Sequence, residues 1–130
     1  MTLVDTSAWI EFFRGDGDAA TKRTVGNLVL AGEAAVTCPV RLKLLQGARD
    51  AELADLLDAI ELCERWPSTP DHWDAAAGIA RELRKRGRNI PVSDILIALC
   101  AITNKASLLA RDRHFRMIQE VLNELELASA

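Results

Sequence analysis

No stretch of this chain is apolar for long enough to cross a bilayer. The longest uninterrupted run, Ile95 to Ile102, falls far short of the ~20 residues a spanning helix needs. No basic segment followed by an apolar one opens the sequence, so the expected location is the cytoplasm, with no membrane partner. Cysteine is scarce, odd in number and scattered: Cys38, Cys63 and Cys100, with no CxxC. These read as buried thiols in a reducing compartment, and with only His72 and His114 to join them a zinc site is not expected. Positive charge is not in excess either. Sixteen Lys and Arg stand against nineteen Asp and Glu, for a net charge of −3, so the totals do not point to a nucleic-acid binder. Repeats, low-complexity tracts and linkers are also absent, which leaves residues 1–130 as a single domain large enough to bury a core.

What charge there is lies unevenly. "RELRKRGR" (81–88) holds Arg81, Arg84, Lys85, Arg86 and Arg88 against Glu82 alone, whereas "DAELADLLDAIELCE" (50–64) carries only acids. A local basic patch can meet phosphate even on an acidic protein. The plain alternative is a solvated helix face ending at Gly87.

Periodicity predicts alternating strands and helices. "TLVD" (2–5) is a short apolar run, followed by Thr6 and Ser7 as N-cap of an apolar-aromatic helix "AWIEFFR". A helix over 18–31 ends at Gly32. "AAVT" (34–37) is a strand, and Pro39 starts the next helix, whose stripe comprises Val40, Leu42, Leu44, Leu45 and Ala48. Another helix fills 50–60, and "ELCERW" (61–66) is a strand before the Pro67/Pro70 turn. A long helix covers 71–86, a buried one 94–104. "SLLA" (107–110) is a strand, "RDRHFRMIQEVL" (111–122) a helix and "ELELA" (124–128) a last strand. The clustered Trp9, Ile10, Phe12 and Phe13 read as core, the usual fate of such aromatics. Strands alternating with helices imply a parallel sheet covered on both faces, with ligands gathering at the carboxyl ends of its strands.

Three acids fall at that edge. Asp5 ends the first strand, Asp94 opens the buried helix and Asp112 lies just past "SLLA". Each has an ordinary reading: Asp94 favours a helix dipole, Asp112 caps a helix and Asp5 opens a turn. Together they repel one another and raise each other's pKa unless a cation offsets them. Mg²⁺ or Mn²⁺, hard and oxygen-liganded, is the usual answer, and such ions serve phosphodiester hydrolysis.

"LVDTSAWIEFFRG", "PVSDILIALCA" and "LLARDRHF", in that order and spacing, resemble the PIN-domain ribonucleases, in particular the VapC toxins of prokaryotic toxin–antitoxin pairs. The resemblance covers essentially the whole chain. It implies a three-layer α/β sandwich with a parallel sheet of four to five strands flanked by helices. It also implies a Mg²⁺- or Mn²⁺-dependent endoribonuclease whose metal ligands are Asp5, Asp94 and Asp112, supported by the hydroxyl of Thr6 or Ser7.

Three positions depart from the pattern, the first of them the largest. Where the family carries a glutamate, in V-x-x-E-L-L-x-G, this chain has Lys43 in "VRLKLLQG". Ala110 stands where a Thr or Ser is common, and His114 where many relatives have another acid. A unit-charge pair about 5 Å apart at an effective dielectric of about 20 is worth roughly 3 kcal/mol. Replacing −1 by +1 beside a divalent ion is therefore expected to impair metal binding and RNA cleavage, with the ammonium pairing to the acids in place of the ion. The alternative is a lysine that snorkels to solvent beside a working site.

The resemblance further implies a VapB-type antitoxin, a homodimer and a structured RNA substrate, transfer or ribosomal. Arg81, Arg84, Lys85, Arg88, Arg111 and Arg113 are the candidates for phosphate contacts, Arg116 beside them. Two other functions compete. One is a catalytically dead relative that binds antitoxin or RNA. The other is a receiver-type phosphoacceptor, whose order of acids and lysine this chain does not reproduce.

Overall fold

Three or four apolar residues are too few for a helical face but enough to cross a sheet covered on both sides. In the computed structural model, which describes residues 1–130, three such runs become β1 (Thr2–Val4), β2 (Ala34–Thr37) and β4 (Ser107–Leu109), while the edge strand β3 (Glu64–Trp66) buries only Trp66. They form one parallel sheet in the order β3-β2-β1-β4. β1 pairs with β4 through Val4–Leu109 and with β2 through Leu3–Ala35, so the two central strands are β1 and β2.

Seven helices flank the sheet: α1 (Thr6–Phe13), α2 (Ala19–Leu30), α3 (Cys38–Gly47), α4 (Asp50–Glu61), α5 (Pro70–Lys85), α6 (Val92–Thr103) and α7 (His114–Gln119). The layered α/β sandwich expected from the sequence is what forms. α6 is buried almost all round, as its unbroken apolar sequence requires, with Ile95, Ile97, Ala98, Cys100 and Ala101 fully enclosed. Trp9, Phe115, Leu3, Leu108 and Ile118 complete the centre of one continuous core. No helix is long and apolar enough to cross a membrane.

Several local expectations change. The N-cap of α1 is Asp5, not Thr6 or Ser7: its carboxylate accepts from the Ser7 N–H, the stronger acceptor taking the orphan amide. "ELELA" is not a strand. Leu125 N–H closes a turn onto Leu122 O, and only Leu127 aligns, in a single bridge to Leu108. The helix after β4 is short because residues 111–113 form a turn around Asp112 before α7 begins. Leu42 leaves the apolar stripe and is 64% exposed, since two residues on from Val40 is the opposite side of a helix whose Val40 and Leu44 point inward. Ile10 is exposed as well, one step beyond buried Trp9 on α1, while Phe12 and Phe13 are half-buried against it. Cys38, first residue of α3, is exposed, Cys63 half-buried and Cys100 buried.

Candidate metal centre

Of the nineteen acids in the chain only two are buried, Asp5 at 3% and Asp94 at 4% exposure. A buried carboxylate is costly unless paired, so each needs a structural reason.

Asp5 sits where β1 runs into α1. Its Oδ2 accepts hydrogen bonds from Ser7 N–H (3.0 Å) and Ser7 Oγ–H (2.6 Å). The Ser7 hydroxyl in turn accepts from the Arg111 N–H at 2.8 Å. The loops leaving the neighbouring strands β1 and β4 are thus tied together, a join continued by Asp5 N–H donating to Leu109 O at 2.9 Å. Asp5 Oδ1, by contrast, is buried with no partner. Burial pushes the Asp5 carboxyl above its ordinary pKa, the Ser7 hydrogen bonds oppose that, and the charge of Asp94 adds to it. The Thr6 hydroxyl is also without a partner, so of the two hydroxyls only that of Ser7 meets the first acid.

Asp94, in the first turn of α6, has both oxygens engaged. Lys43 Nζ lies 3.4 Å from Oδ1, and His114 Nδ1 donates to Oδ2 at 2.9 Å. Asp112 Oδ1 accepts the His114 backbone N–H at 2.9 Å and lies 3.3 Å from His114 Nδ1. Ligand-type atoms of Asp94, Asp112 and His114 all fall within 4.8 Å of one another. The sheet order brings this about. β1 and β4 are adjacent and parallel, so the segments after their ends, carrying Asp5 and Asp112, leave the same edge, and α3 starts directly from β2 on the other side of β1.

The donor set suits a divalent cation. It offers carboxylate oxygens and one imidazole nitrogen, with a buried oxygen on Asp5 that no group in the protein satisfies. Lys43 stands on the rim of the same cluster and pairs with Asp94 only. The expected bridging of all three acids by its ammonium reduces to that one contact. Its side chain is 39% exposed, so water screens the pair and the stem has room to swing away.

His114 is the residue that sequence reasoning undervalued. In sequence it stands where many relatives have another acid, yet the Asp112-x-His114 spacing immediately after a strand turns it back between two carboxylates. The other histidine is structural: His72 joins the start of α5 to the end of α6 through Thr69 and Thr103.

The basic candidates divide. Arg81, Arg84, Lys85 and Arg113 are exposed. Arg88 pairs with Glu120 at 3.1 Å, and Arg111 with Asp18 and Thr21, both at 3.2 Å. Arg86 also reaches Glu120 O, which ties the end of α5 to the end of α7. Two cavities flank Lys43, the first of mixed lining with Arg14, Asp16, Arg49 and Glu52 on its walls, the second mainly apolar. One, of about 420 Å³, is lined by Ile10, Phe13, Leu44 and Leu56 among others. The second, of about 440 Å³, is lined by Cys38, Leu42, Trp73, Val92 and Leu96.

Comparison with known proteins identifies the family. The PIN domain family matches residues 2–121. The VapC ribonuclease Mb1587 of Mycobacterium bovis is 37% identical over 137 residues, covering 99% of this chain and 98% of that protein. Ribonuclease VapC19 of Mycobacterium tuberculosis is 35% identical, covering 93% and 97%. Among solved structures, VapBC2 from Rickettsia felis bound to a promoter DNA fragment superposes with a TM-score of 0.76 at 19% identity, covering 98% of this chain and 96% of that one. FitAcB from Neisseria gonorrhoeae gives 0.76 at 18%, covering 99% and 97%. Sequence and fold together place this chain in the PIN-domain family, among relatives named as VapC ribonucleases.

Proposed function

We propose that this chain is the toxin of a toxin–antitoxin pair, a metal-dependent endoribonuclease whose activity Lys43 holds down. The observation that carries the reading is the placement of two buried carboxylates, Asp5 and Asp94, with Asp112 at the carboxyl edge of the sheet. Asp5, Asp94 and Asp112 hold Mg²⁺ or Mn²⁺. When bound, such an ion supplies a water-derived nucleophile at neutral pH and offsets charge on the leaving oxygen of a phosphodiester. The chain's own groups prepare the site for it. Ser7 fixes the first carboxylate through Oδ2 and leaves Oδ1 free, while the short turn after β4 aims Asp112. Exposed Arg81, Arg84, Lys85 and Arg113, with Arg88 and Arg111 once freed from their acids, bring the RNA phosphates to this edge. Binding then weakens steeply with salt.

The partners follow the family. The cavity beside α1 and α4, walled by Ile10, Phe13 and Leu56, receives apolar side chains of a VapB-type antitoxin, as the complexes of similar fold suggest. The exposed Leu42, Trp73 and Val92 around the second cavity form the contact with another copy of the chain. The substrate is transfer or ribosomal RNA, met in the cytoplasm.

Lys43 favours a second reading, a non-catalytic relative that keeps its partners. Its ammonium already sits on a carboxylate that the ion needs. A cleavage assay on structured RNA with Mn²⁺ separates the two, using the chain as it is, Lys43→Glu and Asp94→Asn. The proposal expects slow cleavage by the first, fast by the second and none by the third. Silence from Lys43→Glu, folded and metal-loaded, rejects the nuclease.

A further inference from the structure

We infer that His114 is itself a metal ligand, through Nδ1, and that this makes the centre selective for imidazole-accepting ions such as Mn²⁺ and Co²⁺ over Mg²⁺. The inference rests on the metal-binding part of the proposed function and adds a ligand that the resemblance does not supply.

The geometry begins with the turn after β4. Asp112 Oδ1 accepts the His114 N–H at 2.9 Å, which folds the His114 side chain back over the edge of the sheet. Its Nδ1 then lies 2.9 Å from Asp94 Oδ2 and 3.3 Å from Asp112 Oδ1. One ring nitrogen therefore points into the space between two carboxylates, and the three ligand-type atoms fit within 4.8 Å. An ion bound to all three through bonds of about 2.0–2.2 Å holds its ligand atoms about 3–4 Å apart, a spacing these atoms already approach. A second, independent observation points the same way. The nearly fully buried Asp5 leaves Oδ1 without any partner, and its carboxyl feels the charge of Asp94.

Without an ion, His114 Nδ1–H fills the place as a hydrogen-bond donor. To bind a metal the ring must carry its proton on Nε2 instead and offer the bare Nδ1. The ring is partly exposed, so Nε2 has access to water and the tautomer change needs no refolding. Lys43 occupies the other oxygen of Asp94, so an incoming ion meets Lys43 on Oδ1 and His114 on Oδ2. Only the second of these can change from competitor to ligand.

Ion preference follows from the donor atoms. Mg²⁺ demands hard oxygens in near-octahedral array, whereas imidazole suits later first-row ions. A site of carboxylates alone would show little of this bias.

The test reads binding rather than catalysis. Titrations of Mg²⁺, Mn²⁺ and Co²⁺ are followed calorimetrically in the full-length chain and in Lys43→Ala, each with and without His114→Ala. The Co²⁺-loaded chain is examined by proton NMR for a paramagnetically shifted, exchangeable Nε2–H resonance. The expected result is at least tenfold preference for Mn²⁺ over Mg²⁺, lost by at least tenfold weaker Mn²⁺ binding in His114→Ala, with the shifted resonance present only where His114 is. His114→Asp should narrow the preference by improving Mg²⁺. The inference is overturned if Mn²⁺ and Co²⁺ bind His114→Ala as they bind its parent and no shifted imidazole proton is seen. That result leaves the metal-dependent reading standing. If neither the full-length chain nor Lys43→Ala takes up any of the three ions, both the inference and the reading beneath it are refuted. The resonance is observed without any substitution at His114, so a variant that misfolds does not decide the matter.

Discussion

Asp5 and Asp94 are equally buried and differently kept. One carboxylate, at the end of β1, has an oxygen pinned by Ser7 and another with no partner at all. The other, at the start of α6, has an ammonium on one oxygen and an imidazole on the other. Burial alone therefore does not explain the pair. Asp5 is held in place as an anion with unused capacity, while Asp94 is already attended by cation-capable side chains. The contrast suggests a site built for an ion and partly served by a substitute.

The largest effect should come from removing the substitute. Lys43→Glu replaces a positive charge by a negative one beside Asp94. After screening at a part-exposed position the change is worth about 3 kcal/mol, so Mn²⁺ affinity should rise by more than about 100-fold. Calorimetric titration checks it. Equal affinity in the two forms would mean that Lys43 swings clear and that the two carboxylates are less different than they look.

A smaller effect belongs to the pinned side. Ser7→Ala removes the hydroxyl that donates to Asp5 Oδ2 and accepts from Arg111 N–H. The expected loss is about 1–3 kcal/mol in urea unfolding, because a buried carboxylate and an amide both lose a partner. An unchanged midpoint would show that water takes over both bonds.

The pH response of Asp5 sharpens the comparison further. Its folded carboxyl titrates above the ordinary value, chiefly through burial. The native state thus keeps a proton that the unfolded chain has released. From this group alone, stability falls as pH rises from the unfolded value near 3.8 through the raised one. Asp5→Asn should flatten that fall and stabilise the metal-free chain at neutral pH, while Mn²⁺ should stabilise the parent and not the variant. Melting curves across pH 3 to 7 measure both; a variant whose curve still tracks its parent's would place the cost elsewhere.

The smallest expectation concerns thiols. Cys38 is exposed, whereas burial pushes the Cys63 thiol up to about 11 and raises that of Cys100 as well. Iodoacetamide at neutral pH should label Cys38 first. Mass mapping that finds Cys63 or Cys100 ahead of it would mean that these thiols open to solvent more readily than their burial implies.

Much of this was legible in one dimension. The apolar runs "TLV", "AAVT" and "SLL" with helices between them lead to a parallel sheet, and the carboxyl-edge rule then selects Asp5, Asp94 and Asp112 from nineteen acids. Asp94 and Asp112 meet His114 in one cluster, Lys43 touches it through Asp94, and Asp5 stands outside it but feels the charge of Asp94. Leu42 is exposed because a stripe read from periodicity is broader than the arc a short helix buries, and Cys38 because the scarcity of cysteine says nothing of its place at the start of α3. "ELELA" alternates like a strand, but the turn of Leu125 onto Leu122 takes up its first half and leaves only the Leu127 bridge to Leu108. The bonds of Arg88 and Arg111 to acids far along the chain are also invisible to local charge counting.

The sequence by itself determined most of the strands and helices, the stretch after β4 excepted, because hydrophobic spacing is a property of near neighbours. It determined too that a lysine stands where the family pattern has an acid. Only the tertiary structure decided that His114 turns in between Asp94 and Asp112, and that Asp5 retains an unpartnered oxygen. Those facts depend on β1 lying beside β4, and no residue carries that information alone: hydrogen bonding between distant strands sets which loop ends meet, and only then do their charges interact.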